Sequence, residues 1–565
     1  MLLLLSKLGK MCRVGVCHKA MVRKITMNSN VGYYGWQNTR NTGGFHRELP
    51  EGVKPTHIIV GAGSAGCVLA NRLTENPDNR VLLLEAGPKD HWWKWKIHMP
   101  AALMYNLCNN RYNWFYHTMA QKNMNDRVIY WPRGRVWGGS SSLNAMVYVR
   151  GHPYDYDRWE REGAAGWSYK NVLPYFKKAQ THELSTGPDD PYRGHNGPLH
   201  VMQGKCENPL HQAFLKAGEE IGIGYTEDMN GCRQEGLGPM DMTIKDGTRC
   251  SSSVAYLKDI LDRPNLYTTS GITCTKILFN GKKAVGVEII KQQKFVWSDD
   301  IDSGNKDNVY CEDMVILCGG AINSPQLLML SGVGPSKHIS AFCIPLVQDM
   351  PGVGANLQDH LEIYIQQVEH PDIQYHFLPS TVHHDGRVAG SCHAFQLHAG
   401  PMRSKSIGKL GLRTVDPRRP PLLDPNYLDK EEDFIEFRKA IRHSREVFAQ
   451  KAFDEFRGDE LAPGKDCVSD EQLDEFIRTN SASAYHPCGT CKMGSSTDSN
   501  AVVDPETMSV HGLEGLKVVD ASVMPSIVSG NLNAPTIMIA ERAADLIMGN
   551  RMLSPENPPI WKPER

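Results

Sequence analysis

The chain has 565 residues, and its 62 Lys+Arg against 63 Asp+Glu leave a net charge of −1. That balance argues against a nucleic-acid binder, which would show a basic excess. With 41% apolar and 22% charged residues the chain is globular rather than disordered. No run of about 18 apolar residues marks a transmembrane helix. The 15 cysteines are scattered rather than spaced as a disulfide framework, which points to a reducing compartment.

Residues 1–47 hold no Asp or Glu but carry Lys7, Lys10, Arg13, Lys19, Arg23, Lys24, Arg40 and Arg47. A basic, acid-free leader ahead of the first strand reads as a mitochondrial transit peptide, with a disordered basic tail as the plainer alternative.

Thr56-His-Ile-Ile-Val60 is a β-branched strand that runs straight into Gly61-Ala-Gly63-Ser64-Ala-Gly66. A helical pattern follows from Cys67 to Leu73, then a second strand, Arg80 to Leu84, ending in Glu85. Strand, glycine turn, helix, strand and acid is the dinucleotide fingerprint. Gly61 permits the tight turn, Gly63 lets a pyrophosphate approach the backbone, and Gly66 lets helix and strand pack closely. The helix N-terminus beside Ser64 favours the phosphates, and Glu85 is placed for the ribose hydroxyls. These residues alone do not choose between FAD and NAD.

Further along, Trp131 to Asn144 is rich in glycine and serine, and Gly138, Gly139, Ser140, Asn144 and Ala145 are expected at a flat ring or a diphosphate. Asp313 to Cys318 reads as a buried strand opening into Gly319-Gly-Ala-Ile-Asn-Ser-Pro325 and a helix. Leu516-Lys-Val-Val519 is another strand, leading to Asp520 and Ala521, which are expected at the cofactor. The nucleotide domain is thus expected to gather distant pieces of chain.

On these motifs the sequence resembles the glucose-methanol-choline oxidoreductases, FAD enzymes that oxidise alcohols. Gly134–Asn144 matches that family's first motif and Gly320–Gly334 its second. Tyr148–Trp159, Asn356–Tyr364, Ala484–Gly494 and Val519–Ala543 extend the likeness, most closely to members that act on choline. The resemblance spans residues 55 to 548. It implies an α/β (α+β) two-domain fold. A Rossmann-like FAD domain would use 52–200, 240–345 and 495–548; a substrate domain with an antiparallel sheet would use 201–239 and 346–494. It implies oxidation of choline to betaine aldehyde, electrons passed to a quinone-type acceptor, and peripheral attachment at the matrix side of the mitochondrial inner membrane. Another alcohol or glucose dehydrogenase, an oxidase, or an inactive flavin-binding isoform are the alternatives.

The resemblance also assigns roles. His486 would take the hydroxyl proton, since imidazole titrates near neutrality. Asn531 would face the same oxygen, with Asn533 capping the following helix. Glu362 would recognise the trimethylammonium group and His376 would line the same pocket. Tyr364 and Tyr375 would offer ring faces. Some members bind FAD covalently through a histidine where this chain has Leu143, so dissociable FAD is expected. Cys488 and Cys491 form a lone C-x-x-C with no second pair, and no metal site is expected. Between Gln367 and His370 the chain is several dozen residues shorter than its relatives, a gap expected to fall in the substrate domain.

Overall fold

A computed structural model describes residues 47, 49–107, 109–291, 306–362, 373–383, 388–389 and 393–561. The leader up to residue 46 and the shortened segment at 367–370 lie outside the described residues, as does Tyr364.

The centre is a five-stranded parallel sheet. Strand β1 (His57–Val60) leads through the glycine turn into helix α1 (Ser64–Leu73), then β2 (Val81–Glu85). Much later come β3 (Leu266–Ser270), β4 (Met314–Leu317), helix α2 (Gly320–Leu330), β5 (Leu516–Val518) and helix α3 (Asn533–Met548). The strand order is β3-β2-β1-β4-β5. Neighbours are in register, with Ile58 opposite both Val315 and Leu82. Both faces of such a sheet are covered, so its inner strands are continuous apolar runs rather than alternating ones. Val81 to Leu84 and Ile58 to Ile59 are all buried.

Helices α1 and α3 pack together, and their N-terminal ends are tied: Ser64 Oγ donates to Asn533 Oδ1 at 2.8 Å. Asn533 is therefore the first residue of α3 and bonds across to α1. It is not the cap expected from the sequence; Leu532 holds that position and has no capping side chain. Further along α3, Glu541 is fully buried and accepts a bidentate pair from Arg72, at 2.8 Å on each oxygen, plus the Tyr256 hydroxyl at 2.8 Å. Fork-to-fork geometry and an extra donor satisfy a carboxylate that would otherwise be costly to bury.

A second region holds an antiparallel pair of strands, Ile373–Leu378 and Gln396–Pro401. The alternation of a strand sorts its side chains. Tyr375, Leu397 and Ala399 enter a separate apolar cluster with Phe214 and Val447, and Phe377 stacks on Phe214 at 4.6 Å. The opposite face carries Gln374, His376, Gln396 and His398. Tyr375 is thus a core residue, edge-on to Phe214 at 5.8 Å, and does not offer its ring to a substrate as the sequence reading expected. Among the described residues no helix is long and apolar enough to cross a membrane.

Candidate active site

The glycine turn behaves as its spacing predicts, and each glycine is needed for a different reason. Gly61 has φ +105, and a Cβ there would sit 2.6 Å from the Cys318 carbonyl oxygen. At Gly66 a Cβ would lie 1.9 Å from the Gly61 carbonyl oxygen, so helix and strand touch through bare backbone. Gly63 differs: a Cβ would meet nothing nearer than 3.9 Å. The protein's own packing does not demand glycine at that point, which fits a pyrophosphate lying against it.

The glycine-serine loop closes over this turn. Gly139, with φ +53, would place a Cβ 2.7 Å from the Gly63 Cα. Its serines are occupied locally, with Ser142 Oγ donating to the Trp137 carbonyl at 2.6 Å and Ser140 Oγ accepting from the Gly134 N–H at 3.2 Å. Asn144 Oδ1 accepts from the buried Arg249 at 2.8 Å, while Ala145 next to it is exposed. Leu143 packs with Ile97, Tyr112 and Val136, an aliphatic group where a covalent flavin link would need a histidine.

Glu85 accepts from the Ala62 N–H at 2.9 Å and the Gly87 N–H at 2.7 Å, joining the turn to β2. Burial pushes its pKa up to about 7 against these two bonds. Asp520 accepts from Gly320 N at 2.8 Å and Ser324 Oγ at 2.6 Å, which anchors the start of α2 to the end of β5, beside Ala521. The bare Gly63, the closed loop above it and the carboxylate at the tip of β2 together fit the adenosine diphosphate half of FAD.

The second half of the site is organised by one extended segment, Asn356 to Glu362. Asn356 Nδ2 donates to the Pro525 carbonyl at 2.9 Å, and Gln358 Oε1 accepts from Ile527 N at 3.1 Å. Both hold the loop that carries Asn531, and Asp155 holds it from another side through Ser529 N at 2.7 Å. Asp359 accepts the His486 N–H at 2.6 Å and the Ser483 hydroxyl at 2.5 Å, and also bonds the Tyr427 hydroxyl. Burial raises its pKa to about 6. Tyr485, just ahead of His486, sits at φ +64, a strained conformation for a bulky residue. Arg133 bonds its carbonyl, and Ser483 Oγ accepts its N–H at 2.8 Å. Those bonds hold the left-handed kink that aims His486.

His360 is fully buried, and its two ring nitrogens have different partners. Nε2 lies 3.1 Å from the Met402 carbonyl, and Nδ1 lies 3.0 Å from His486 Nδ1. Burial brings the His360 pKa down to about 4. His486 is held well below its ordinary value by burial, then by His360, with Glu362 opposing and Arg133 and His376 adding to the depression. Both rings are therefore neutral near pH 7. On its far side His486 Nε2 faces Asn531 Nδ2 at 3.2 Å. The expected pair is thus brought together.

Glu362 is paired with two histidines. His376 Nδ1 is 3.5 Å and His398 Nδ1 3.4 Å from its carboxylate oxygens, and the Glu362 side chain is 16% exposed. Burial pushes the carboxyl up, but the two histidines outweigh it and hold it well below the usual carboxylate range. His376 and His398 are directly opposed across the strand pair. Gly400 lets the segment cross there, since a Cβ would lie 2.4 Å from the Leu361 carbonyl oxygen.

Sequence reasoning placed His486, Asn531, Glu362 and His376 but missed Asp359, His360, Gln374 and His398. Asp359 and His360 stood inside a quoted motif. Their signal was the run of polar residues in Asn356–Glu362, too polar for an ordinary buried strand. Gln374 and His398 carried no local signal. Cys488 and Cys491 are buried free thiols, and no cluster of three or more ligating side chains occurs among the described residues.

The GMC oxidoreductase family description matches residues 56–362 and again 404–540. The chain belongs to the GMC oxidoreductase family, and the FAD expected from its motifs stands. Mitochondrial choline dehydrogenase of Mus musculus is 52% identical over 562 aligned residues, covering 90% of this chain and 92% of that one. The oxygen-dependent choline dehydrogenase of Brucella suis is 44% identical over 552, covering 89% and 97%. Among solved structures, pyridoxine 4-oxidase from Mesorbium loti superposes with a TM-score of 0.80 at 32% identity, covering 88% of this chain and all of that one. Ninety per cent of a 565-residue chain cannot fill 562 aligned positions, so dozens of positions in the mouse protein have no counterpart here.

Proposed function

We propose that this protein oxidises choline to betaine aldehyde, with electrons passing to a quinone-type acceptor, as the first step of glycine betaine synthesis. The observation that carries this reading is Glu362, a carboxylate kept ionised beside the His486–Asn531 pair and close enough to influence the titration of His486. A trimethylammonium group offers no hydrogen bond, so it must be recognised by charge and apolar contact. A sugar could hydrogen-bond that carboxylate but carries no positive charge to pair with it. The choline dehydrogenases at 52% and 44% identity support the same substrate.

The residues divide the work simply. Glu362 binds the cationic end and so points the hydroxyl at His486. The substrate hydroxyl would replace the Asn531 contact at His486 Nε2, which takes its proton, and the Asn531 NH2 group would donate to the oxygen left behind. Bound FAD supplies the hydride acceptor. Leu143 leaves the cofactor dissociable.

The same reading includes residues 1–47 as a mitochondrial transit peptide and peripheral attachment at the matrix side of the inner membrane. It divides the chain into an FAD domain (52–200, 240–345, 495–548) and a substrate domain (201–239, 346–494), supported by a sheet that draws strands from 57 to 518. A second reading, a flavin-binding chain without turnover, is favoured by the missing alignment positions. Anaerobic mixing of the FAD-loaded protein with choline separates the two. Bleaching of the flavin absorbance by choline but not by glucose is expected. Bound FAD that no alcohol bleaches would overturn the enzymatic reading.

A further inference from the structure

Gln374 stands on the strand Ile373–Leu378, two residues from His376 and therefore on the same face. Its Nε2 lies 3.0 Å from Asn531 Oδ1, and its Oε1 is buried without a hydrogen-bond partner. A side-chain amide can be turned over, so this contact alone does not say which group donates. The direction must come from a group whose role cannot be exchanged.

That group is the Met402 carbonyl, which only accepts. Since it lies 3.1 Å from His360 Nε2, that nitrogen must carry the proton. A neutral His360 then has a bare Nδ1, which accepts from His486 Nδ1–H at 3.0 Å. A neutral His486 in turn has a bare Nε2, which accepts from Asn531 Nδ2–H at 3.2 Å. The Asn531 oxygen is left facing Gln374, so Gln374 must donate. Reversing Gln374 would reverse every step and require His360 to hold protons on both nitrogens while 0% exposed, a buried charge with no carboxylate bonded to it.

We propose that Gln374 is a positioning residue for catalysis: by donating to Asn531 Oδ1 it fixes the Asn531 amide with its N–H toward the reacting oxygen, and so keeps His486 Nε2 the bare, proton-accepting nitrogen. It acts through Asn531. The chain has two ends, a backbone carbonyl on one side and a glutamine on the other, and both enforce one tautomer. The titratable and charged groups that face His486 are His360, Glu362, Arg133 and His376; of these only His360 bears on the Asn531 amide, through His486 and from the opposite end of the chain.

This inference rests on the proposed alcohol oxidation, and the test keeps the two apart. Flavin reduction by choline is followed anaerobically in the FAD-loaded wild type, Gln374→Leu, Asn531→Ala and the double variant. If the wild type is not reduced, the function fails first. With a reducible wild type, Gln374→Leu is expected to slow the limiting rate on the order of 10–100-fold while the choline concentration at half-saturation, set at Glu362, changes less than about twofold. In the Asn531→Ala background the same substitution is expected to cost nothing further, because the group it orients is gone. Equal slowing in both backgrounds, a change in half-saturation alone, or no slowing would overturn the proposal. Should Gln374→Leu fail to hold FAD, the isosteric Gln374→Glu, which as a carboxylate cannot donate, replaces it with the same expectation and a raised acid limb in the rate profile, because Asn531 then turns its oxygen to His486.

Discussion

The cofactor face and the proton face are built by opposite means. Around Gly61–Gly66 and Gly134–Asn144 the structure works by what is missing: side chains are absent so that backbone can meet backbone, and in the one case of Gly63 so that backbone can meet a ligand. Around His486 it works by what is present: Asp359, His360, Asn531 and Gln374 come from three separate stretches and are joined by donor–acceptor pairs whose order matters. A steric site is hurt by any added atom. A hydrogen-bonded site is hurt by a wrong proton even when the volume is unchanged.

The sharpest test of that contrast is a pair of alanines. At Gly66 the new Cβ has nowhere to go at 1.9 Å from the Gly61 carbonyl oxygen, so Gly66→Ala is expected to abolish soluble, flavin-coloured protein. At Gly63 the same change meets no protein atom closer than 3.9 Å, so Gly63→Ala should keep the melting temperature of the cofactor-free protein and lose FAD affinity in equilibrium titration. Equal melting losses at the two positions would break the distinction between a packing glycine and a ligand glycine.

His486→Ala should leave FAD bound and slow flavin reduction by choline about 10²–10⁴-fold, read by anaerobic stopped flow. A smaller and more gradual effect belongs to His360. Its folded pKa of about 4 lies below the unfolded value of 6.5, so unfolding takes up a proton between those limits. The stability that wild type holds over His360→Gln should therefore rise with pH from about 4 to 6.5, by up to about 3 kcal/mol, and stay level above. Denaturant titrations at a series of pH values would show a flat difference if His360 were charged in the fold. Least of all, Glu362→Gln should raise the half-saturating choline concentration about tenfold or more with little change in the limiting rate. A choline-independent loss of rate would instead make Glu362 part of the His486 chain.

Much of the cofactor face could be read directly because its constraints are local. A glycine that must turn, approach or pack leaves a fixed spacing within a few residues, and β1, α1 and β2 follow one another without interruption. Glu85 ends β2, so its place follows from the strand before it. His486, Asn531, Glu362 and His376 were reached through motif likeness; nothing in their own neighbourhoods told a base from a buried structural histidine.

What the sequence by itself determined, then, is the glycine scaffold, the parallel sheet's apolar strands and the identity of the main polar groups. Only the tertiary structure decided which of them touch, that Tyr375 faces the core while Gln374 and His376 face the site, that Asn533 ties α3 to α1, and which nitrogen of His486 is bare. The reason is physical: steric demands of the backbone act over a few residues, whereas the direction of a hydrogen bond is inherited from its neighbour, here along a line that begins at the Met402 carbonyl and ends at Gln374.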